Sequence, residues 1–404
     1  MKFERIGNIA NFINGAAFKP EDWENGGLKI IRIQNLTDTT KPYNYTRRKV
    51  ADKYLVRKGD VLVSWSATID VFIWNDEDAL LNQHIFKVDF DYNKVDKKYF
   101  IYALKKTITD LSKFAHGSTM KHVVKSDFDN HKIPLPSLTE QIHIANILTK
   151  AENLIAQRKE SIRLLDEYLK STFLDMFGDP VKNEKGWEKV EISSHFEVRG
   201  RVGWKGYKKT DLRNSGPYVL GATHLSSDGT IDLSKPVFIS QEKFEESPEI
   251  IVMKNDLLIV QRGNTIGKVG LVNQEIGNAT INPCILILRP IVGNTFFLRQ
   301  FLMHEKVMQQ LWSMNTSSAQ PMLTQKDIRA FSIYNPPMEI QTQFAQIVEK
   351  TESLKVQYQQ SLQELENLYG SLSQRAFKGQ LTPKEYKLPD DYAQNSGLGM
   401  AAEP

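Results

Sequence analysis

The residues able to do chemistry in this 404-residue sequence gather in short polar stretches rather than in acid–base pairs. One set holds Lys19, Arg32, Gln34, Asn35, Arg47 and Arg48, then Trp65, Ser66 and Thr68, then His84, and finally Ser118, Thr119 and Lys121. A second set holds Arg199, Arg201, Trp204, Lys205 and Tyr207, then Arg262, Asn264, Thr265 and Lys268, and then Ser317 and Gln320. These types suit a nucleic acid. Arg and Lys address guanine O6 and N7, Asn and Gln address adenine N6 and N7, and hydroxyls with glycine-backed amides hold phosphates. Both sets are candidate DNA contacts.

Other chemistries find no support. Gly263 to Lys268 has three residues between its glycines, and Val269 follows where a phosphate-binding loop needs Ser or Thr for magnesium. Asn335-Pro336-Pro337-Met338 lacks the aromatic residue of an adenine-methyltransferase motif and has no glycine-rich cofactor strand before it; it reads as a proline helix start. The carboxylates form no nuclease constellation, and His84, His116, His122, His131 and His143 have no metal-ligand spacing. His84 is expected in a strand. The single Cys284 excludes a disulfide framework and cysteine-based zinc. Neither a catalytic nor a metal site is expected.

Elements that could position these loops emerge from a repeat at a period of 200 residues. Residues 138–177 and 338–377 share 11 identities in 40 gap-free positions, among them Gln141/Gln341, Ala145/Ala345, Lys150/Lys350, Glu152/Glu352, Leu154/Leu354 and Phe177/Phe377. Upstream, Leu81-Asn82-Gln83-His84 faces Ile281-Asn282-Pro283-Cys284, and Gly59-Asp60-Val61-Leu62 faces Asn255-Asp256-Leu257-Leu258 after a four-residue slip. The order is therefore block, helix, block, helix.

Leu148, Ile155, Ile162 and Leu169 recur every seven residues, with Leu165 on the partner row; Arg158 interrupts that row. In the second copy Val348, Leu362 and Tyr369 form one row, with Tyr358 and Leu365 on the other; Lys355 is the departure. This spacing predicts a coiled-coil seam. Prolines and glycines bracket both stretches and none of the prolines lies inside. Connectivity requires paired helices to run antiparallel, with the blocks at opposite ends. Within the blocks, strands are expected at 29–33, 60–65 and 83–88, with counterparts at 256–260, 269–272 and 281–288. Helices are expected at 98–113 and 296–312.

Charge is +4 overall, with +5 over residues 1–138 and +3 over 179–337, and a mildly acidic balance in both helices. No apolar run reaches 18 residues and the first residues carry no signal-type apolar stretch, so a cytoplasmic protein with no membrane partner is expected.

The arrangement resembles the DNA-specificity subunit of type I restriction-modification systems. The carrying residues are Gly59-Asp60-Val61-Leu62, Gly117-Ser118-Thr119, Ile133-Pro134-Leu135-Pro136 leading into Glu140-Gln141, then Pro336-Pro337 with Gln341, and Ala376-Phe377-Lys378-Gly379-Gln380-Leu381. The second copy departs at Ile340, opposite Glu140, and at Thr316-Ser317-Ser318. The resemblance, over about residues 1–381, implies an α+β fold with two β-rich target-recognition domains (1–138 and 179–337) and two long antiparallel spacer helices (139–178 and 338–381) forming a coiled coil with a pseudo-two-fold repeat; residues 382–404, with Gly397, Gly399 and Ala401-Ala402, are expected to be a flexible tail. It implies a non-catalytic subunit whose partners are double-stranded DNA, two methyltransferase (modification) subunits and two restriction/motor subunits. No cofactor is expected on this chain; S-adenosylmethionine, ATP and magnesium belong to the partners. The alternative from the residues alone is a non-catalytic coiled-coil adaptor that binds proteins rather than DNA.

Overall fold

The computed structural model describes residues 2–66, 68–114, 125–201, 206–314 and 322–381. They form two compact units, one of residues 1–157 with the chain from 362 onward, the other of residues 158–361. Each unit thus takes part of both long helices, which span Leu138–Phe177 and Met338–Phe377.

In the first unit, a four-stranded antiparallel sheet runs Ala10–Asn14, Ile85–Phe90, Val61–Ser64, Asp70–Ile73. Val61–Ser64 is buried throughout, because both of its faces are covered. A second sheet runs Asn44–Thr46, Leu28–Ile31, Ala79–Leu81, Leu55–Val56, with a parallel pairing of Lys29–Ile31 to Ala79–Leu81. Phe3–Arg5 pairs antiparallel with Lys132–Pro134, so the two ends of the block lie side by side. The first long helix then starts on a capping box. Ser137 N donates to Glu140 Oε2 (3.0 Å), and Glu140 N donates to Ser137 Oγ (3.4 Å). Ile144, Ala145 and Leu148 of this helix share one core with Phe12, Val63, Phe100 and Phe128 of the block and Ala376 of the second long helix. Each such fully buried large side chain contributes about 1.5–3 kcal/mol. Tyr369 donates to Glu152 (3.0 Å) while the later Ala376 shares a core with the earlier Ala145 and Leu148, so the helix segments here run antiparallel.

The second unit repeats the plan. Its sheets run Phe196–Arg199, Ile285–Pro290, Leu257–Val260, Val269–Leu271 and Phe238–Ile239, Leu212–Leu220, Ala279–Ile281. The parallel pairing recurs between Tyr218–Leu220 and Ala279–Ile281, and Lys189–Glu191 closes the block on Ser332–Tyr334. The 60/256 match is a shared left-handed turn, at Gly59 (φ 94°) and Asn255 (φ 70°). Here too the long helices are antiparallel: Phe173 and Phe177 pack on Phe344 at ring separations of 5.6 and 5.4 Å, and Arg158 lies 4.3 Å from the Tyr358 ring.

Four expectations need correction, the first being the strand expected over 281–288, which a turn at 282–284 divides between Ala279–Ile281 and Ile285–Pro290 of different sheets. The helix expected over 296–312 is two, Thr295–Leu302 and Glu305–Ser313. Continuing the first would carry Val307 and Leu311 off the core-facing side of Leu298 and Phe301; the break at Met303–His304 turns both into the core. The strand expected over 29–33 ends at Ile31, because Asn35 Oδ1 accepts the Arg32 N–H (3.1 Å) and starts a short helix, Ile33–Thr37. His84 lies in the exposed turn before Ile85–Phe90, not in a strand.

Candidate nucleic-acid interface

In the first block, the turn at residues 82–84 and the hairpin after Ser64 meet. Asn82 accepts the Ile85 N–H through its carbonyl (3.1 Å) and the Gln83 N–H through Oδ1 (2.8 Å), which fixes the turn. Trp65 N donates to the His84 carbonyl (3.3 Å), their rings lie 5.2 Å apart, and Trp65 Nε1 donates to Asn14 (3.3 Å). Thr68 is exposed at the same hairpin. Ser66, expected as a contact, is buried. Asn35 is also buried: its Nδ2 donates to the Lys41 and Pro42 carbonyls (both 3.2 Å), so its amide holds a turn together and cannot reach a base.

A second cluster on this block is already paired. Arg32 lies over Trp23 (5.6 Å) and donates to Asn44 (3.4 Å). Arg47 sits 3.6 Å from Glu24 and Arg48 3.1 Å from Asp22, while Lys19 is 3.5 Å from Glu21. Gln34 is exposed. Such surface pairs are weak and release their cations cheaply.

The second block rebuilds the same junction. Asn282 accepts Ile285 N (3.1 Å) and Cys284 N (2.9 Å), and Gln261 N donates to the Cys284 carbonyl (2.8 Å). The hairpin that follows is closed by Gly267 N to Val260 O (2.8 Å). It brings Arg262, Asn264 and Thr265 to the rim of a cavity of about 280 Å³ that Tyr207, His224 and Cys284 also line. Lys268 is half-buried at the foot of the hairpin, where its carbonyl accepts Val260 N (2.9 Å). Arg199 is held by Glu197 (2.6 Å), and Arg201 is half-buried and donates to the Ile281 carbonyl (3.1 Å). Burial lowers the pKa of Arg201 and raises that of Tyr207, whose rise Arg201 opposes. Ser118, Thr119, Lys121, Trp204, Lys205, Ser317 and Gln320 lie outside the described residues.

On the seam, Leu148, Leu169 and Val348 are buried, and Ile155, Ile162, Leu165, Tyr358, Leu362, Leu365 and Tyr369 are half-buried. Both polar departures have partners. Arg158 covers the Tyr358 ring, and Lys355 Nζ lies 2.8 Å from both Asp166 and Asp228. Burial would lower the Lys355 pKa, but the two carboxylates raise it; burial would raise the Asp228 pKa, but Lys355 and Thr230 lower it.

Sequence reasoning missed the polar anchors between each block and the helices. Glu152 accepts Tyr102 (2.7 Å) and Tyr369 (3.0 Å), and its repeat partner Glu352 lies 2.6 Å from the buried Arg299. The Glu152/Glu352 identity was the available signal. Among the described residues no group of His, Cys, Asp and Glu could hold a metal ion, and no helix is long and apolar enough to cross a membrane.

Comparison with known proteins decides the family. The family described as the type I restriction modification DNA specificity domain matches residues 1–164 and again residues 184–367. The chain belongs to this family. Similar members include the EcoBI specificity subunit of Escherichia coli, 25% identical over 93% of this chain and 85% of that protein. The MjaVIII specificity subunit of Methanocaldococcus jannaschii is 24% identical over 83% of this chain and 87% of that protein. The fold is that of solved S subunits. A type I restriction-modification S subunit from M. genitalium superposes with a TM-score of 0.57 at 17% identity, covering 95% of this chain and 96% of its own. A chain from a structure on complex assembly and conformational transition of the type I system gives 0.55 at 18% identity, covering 94% and 98%. Membership in the specificity family favours DNA recognition over the coiled-coil adaptor.

Proposed function

We propose that this chain is the DNA-recognition subunit of a type I restriction-modification complex and does no chemistry itself. Each block reads one half of a bipartite, asymmetric site, and the two long helices set the unspecified spacer between the halves. One observation carries the reading: the family match occurs twice, on two blocks whose four-stranded antiparallel sheets share one strand order, each block closed by its own terminal strand pair. A helix of 40 residues is about 60 Å long, and half-sites one duplex turn apart are about 34 Å apart, so the helices have length enough.

The helices also dock the modification subunits. Lys150/Lys350, Gln157/Gln357 and Ser171/Ser371 are identical in the two copies yet exposed, and Leu154 is 42% exposed. Core packing does not account for identities that lie on the surface. Two equivalent docking faces fit two methyltransferase subunits, which would carry S-adenosylmethionine; two restriction/motor subunits using ATP and magnesium would join them. Such a complex acts on cellular DNA in the cytoplasm.

The test is a block exchange. Residues 1–138 are replaced by the equivalent block of another specificity subunit, the chain is expressed with its methyltransferase partner, and modified bases are mapped genome-wide. One half of the modified motif changes and the other stays. A motif unchanged in both halves, or altered in both, overturns the reading.

A further inference from the structure

The second block contains seven arginines, and six have guanidinium partners within the protein. Arg199 is held by Glu197 (2.6 Å) and Arg289 by Asp256 (2.6 and 2.8 Å). Arg299 is buried against Glu352. Arg201, Arg213 and Arg329 donate to backbone carbonyls of Ile281 (3.1 Å), Thr210 (2.7 Å) and Val198 (2.9 Å). Only Arg262, among these described arginines, is exposed with no hydrogen bond, ion pair or ring contact to its side chain. Among the described residues nothing engages its five N–H donors.

Its position is equally particular. Arg262 is in extended backbone, paired to Met322, at the start of the hairpin apex. The next residue, Gly263, has φ 104° and no described residue within 4 Å of where a Cβ would stand, and residues 262–265 are all exposed. Beneath lies the cavity walled by Tyr207, His224 and Cys284. In the first block the corresponding junction is occupied by the Trp65 and His84 rings, whereas the second has Gln261 and Cys284 at those places. The second junction therefore offers room and a free planar fork of donors, the chemistry that recognises guanine O6 and N7.

We propose that Arg262 is the guanine-reading residue of the second block and determines one G·C pair of the half-site that this block reads. This rests on the DNA-recognition reading above. The chain is co-expressed with its methyltransferase partner, as wild type and as Arg262→Gln, and modified motifs are mapped. The wild-type motif contains a guanine, in one half only, at which R262Q accepts other bases. Discrimination there falls roughly tenfold to a hundredfold, and the other half is unaffected. An unchanged motif overturns the proposal, as does uniform weakening with the motif intact, which marks a phosphate contact. If R262Q yields no modification, competition binding of the assembled complexes decides. Oligonucleotides substituted at each G·C pair of the wild-type motif then serve as competitors, and R262Q retaining full discrimination at every pair overturns the assignment. A wild-type complex that modifies no two-part motif sinks the parent reading instead.

Discussion

Gln141 Oε1 accepts the backbone N–H of Asp96 at 2.8 Å, at the start of the helix Lys97–Phe114. The amide is fully buried, and its Nε2 donates to the Pro136 carbonyl (2.9 Å) and the Lys94 carbonyl (3.1 Å). Gln341 repeats the arrangement, accepting from Asn294 N (3.3 Å) and donating to Pro336 O (2.7 Å). One side chain thus ties a long helix, the turn before it and the helix of its block. Replacing Gln141 or Gln341 with Leu strands buried backbone groups and should cost about 1–3 kcal/mol each in urea denaturation. A loss under about 0.5 kcal/mol would mean the amide is not a structural tie.

The Arg299–Glu352 pair is more exacting. Arg299→Leu leaves the Glu352 carboxylate, itself only 17% exposed, without its cation, and should destabilise by about 1–3 kcal/mol. The double variant with Glu352→Leu should recover much of that loss. A double-mutant cycle by denaturant unfolding checks it, and additive losses would show that the pair is not coupled.

Lys355 gives a pH signature. Asp228 is held below the ordinary carboxylate value of 3.8, so its contribution is present above that pH and is lost as acid protonates it. Lys355 is held above the ordinary 10.5, so its contribution is complete below that pH and is lost only as pH rises through the elevated value. The network should therefore be constant from about pH 5 to 10 and fade at both extremes. Lys355→Met should cost about 1–3 kcal/mol at pH 7 and flatten the alkaline limb of the stability profile. An unaltered alkaline limb counts against the ion-pair account.

Salt should act strongly on recognition. On the proposed function, phosphates would be neutralised by cations such as Lys19, Arg47 and Lys268 with release of counterions, so affinity of the assembled complex for its site should fall steeply with ionic strength. For about six phosphate contacts, binding weakens roughly a thousandfold between 50 and 200 mM salt. A flat response in a filter-binding titration rules this interface out.

Removing one heptad from both long helices, in matched register, should shorten the spacer of the modified motif or abolish modification. Mapping modified bases in cells carrying the shortened chain reads this directly. An intact spacer means the helices are not what sets it.

Much of the architecture was legible because a repeated apolar period survives in a single sequence. The matched rows 148–169 and 348–369 required paired helices of equal length. Arg158 and Lys355 looked like faults in those rows because a one-dimensional pattern cannot reveal the ring or the carboxylates they face. Asn35 and Ser66 looked like DNA contacts because polar residues in turns are usually exposed; here one holds a turn and the other is enclosed. The break at Met303–His304 carries no Pro or Gly, and only the phase of Val307 and Leu311 demands it. Glu152 and Glu352 were visible as an identity, but their partners come from distant strands of sequence with no shared spacing.

The short ladder between Phe3–Arg5 and Lys132–Pro134, mirrored by Lys189–Glu191 with Ser332–Tyr334, has an architectural corollary. Neighbouring strands are about 4.8 Å apart, so the first and last strands of each reader lie side by side, like the two halves of a closed clasp. A foreign reader spliced in at those strands must match the three backbone pairings at each seam and the buried ties to the long helices, such as those of Gln141 and Gln341. Nature or an engineer can then trade one reader while leaving the remainder of the chain undisturbed.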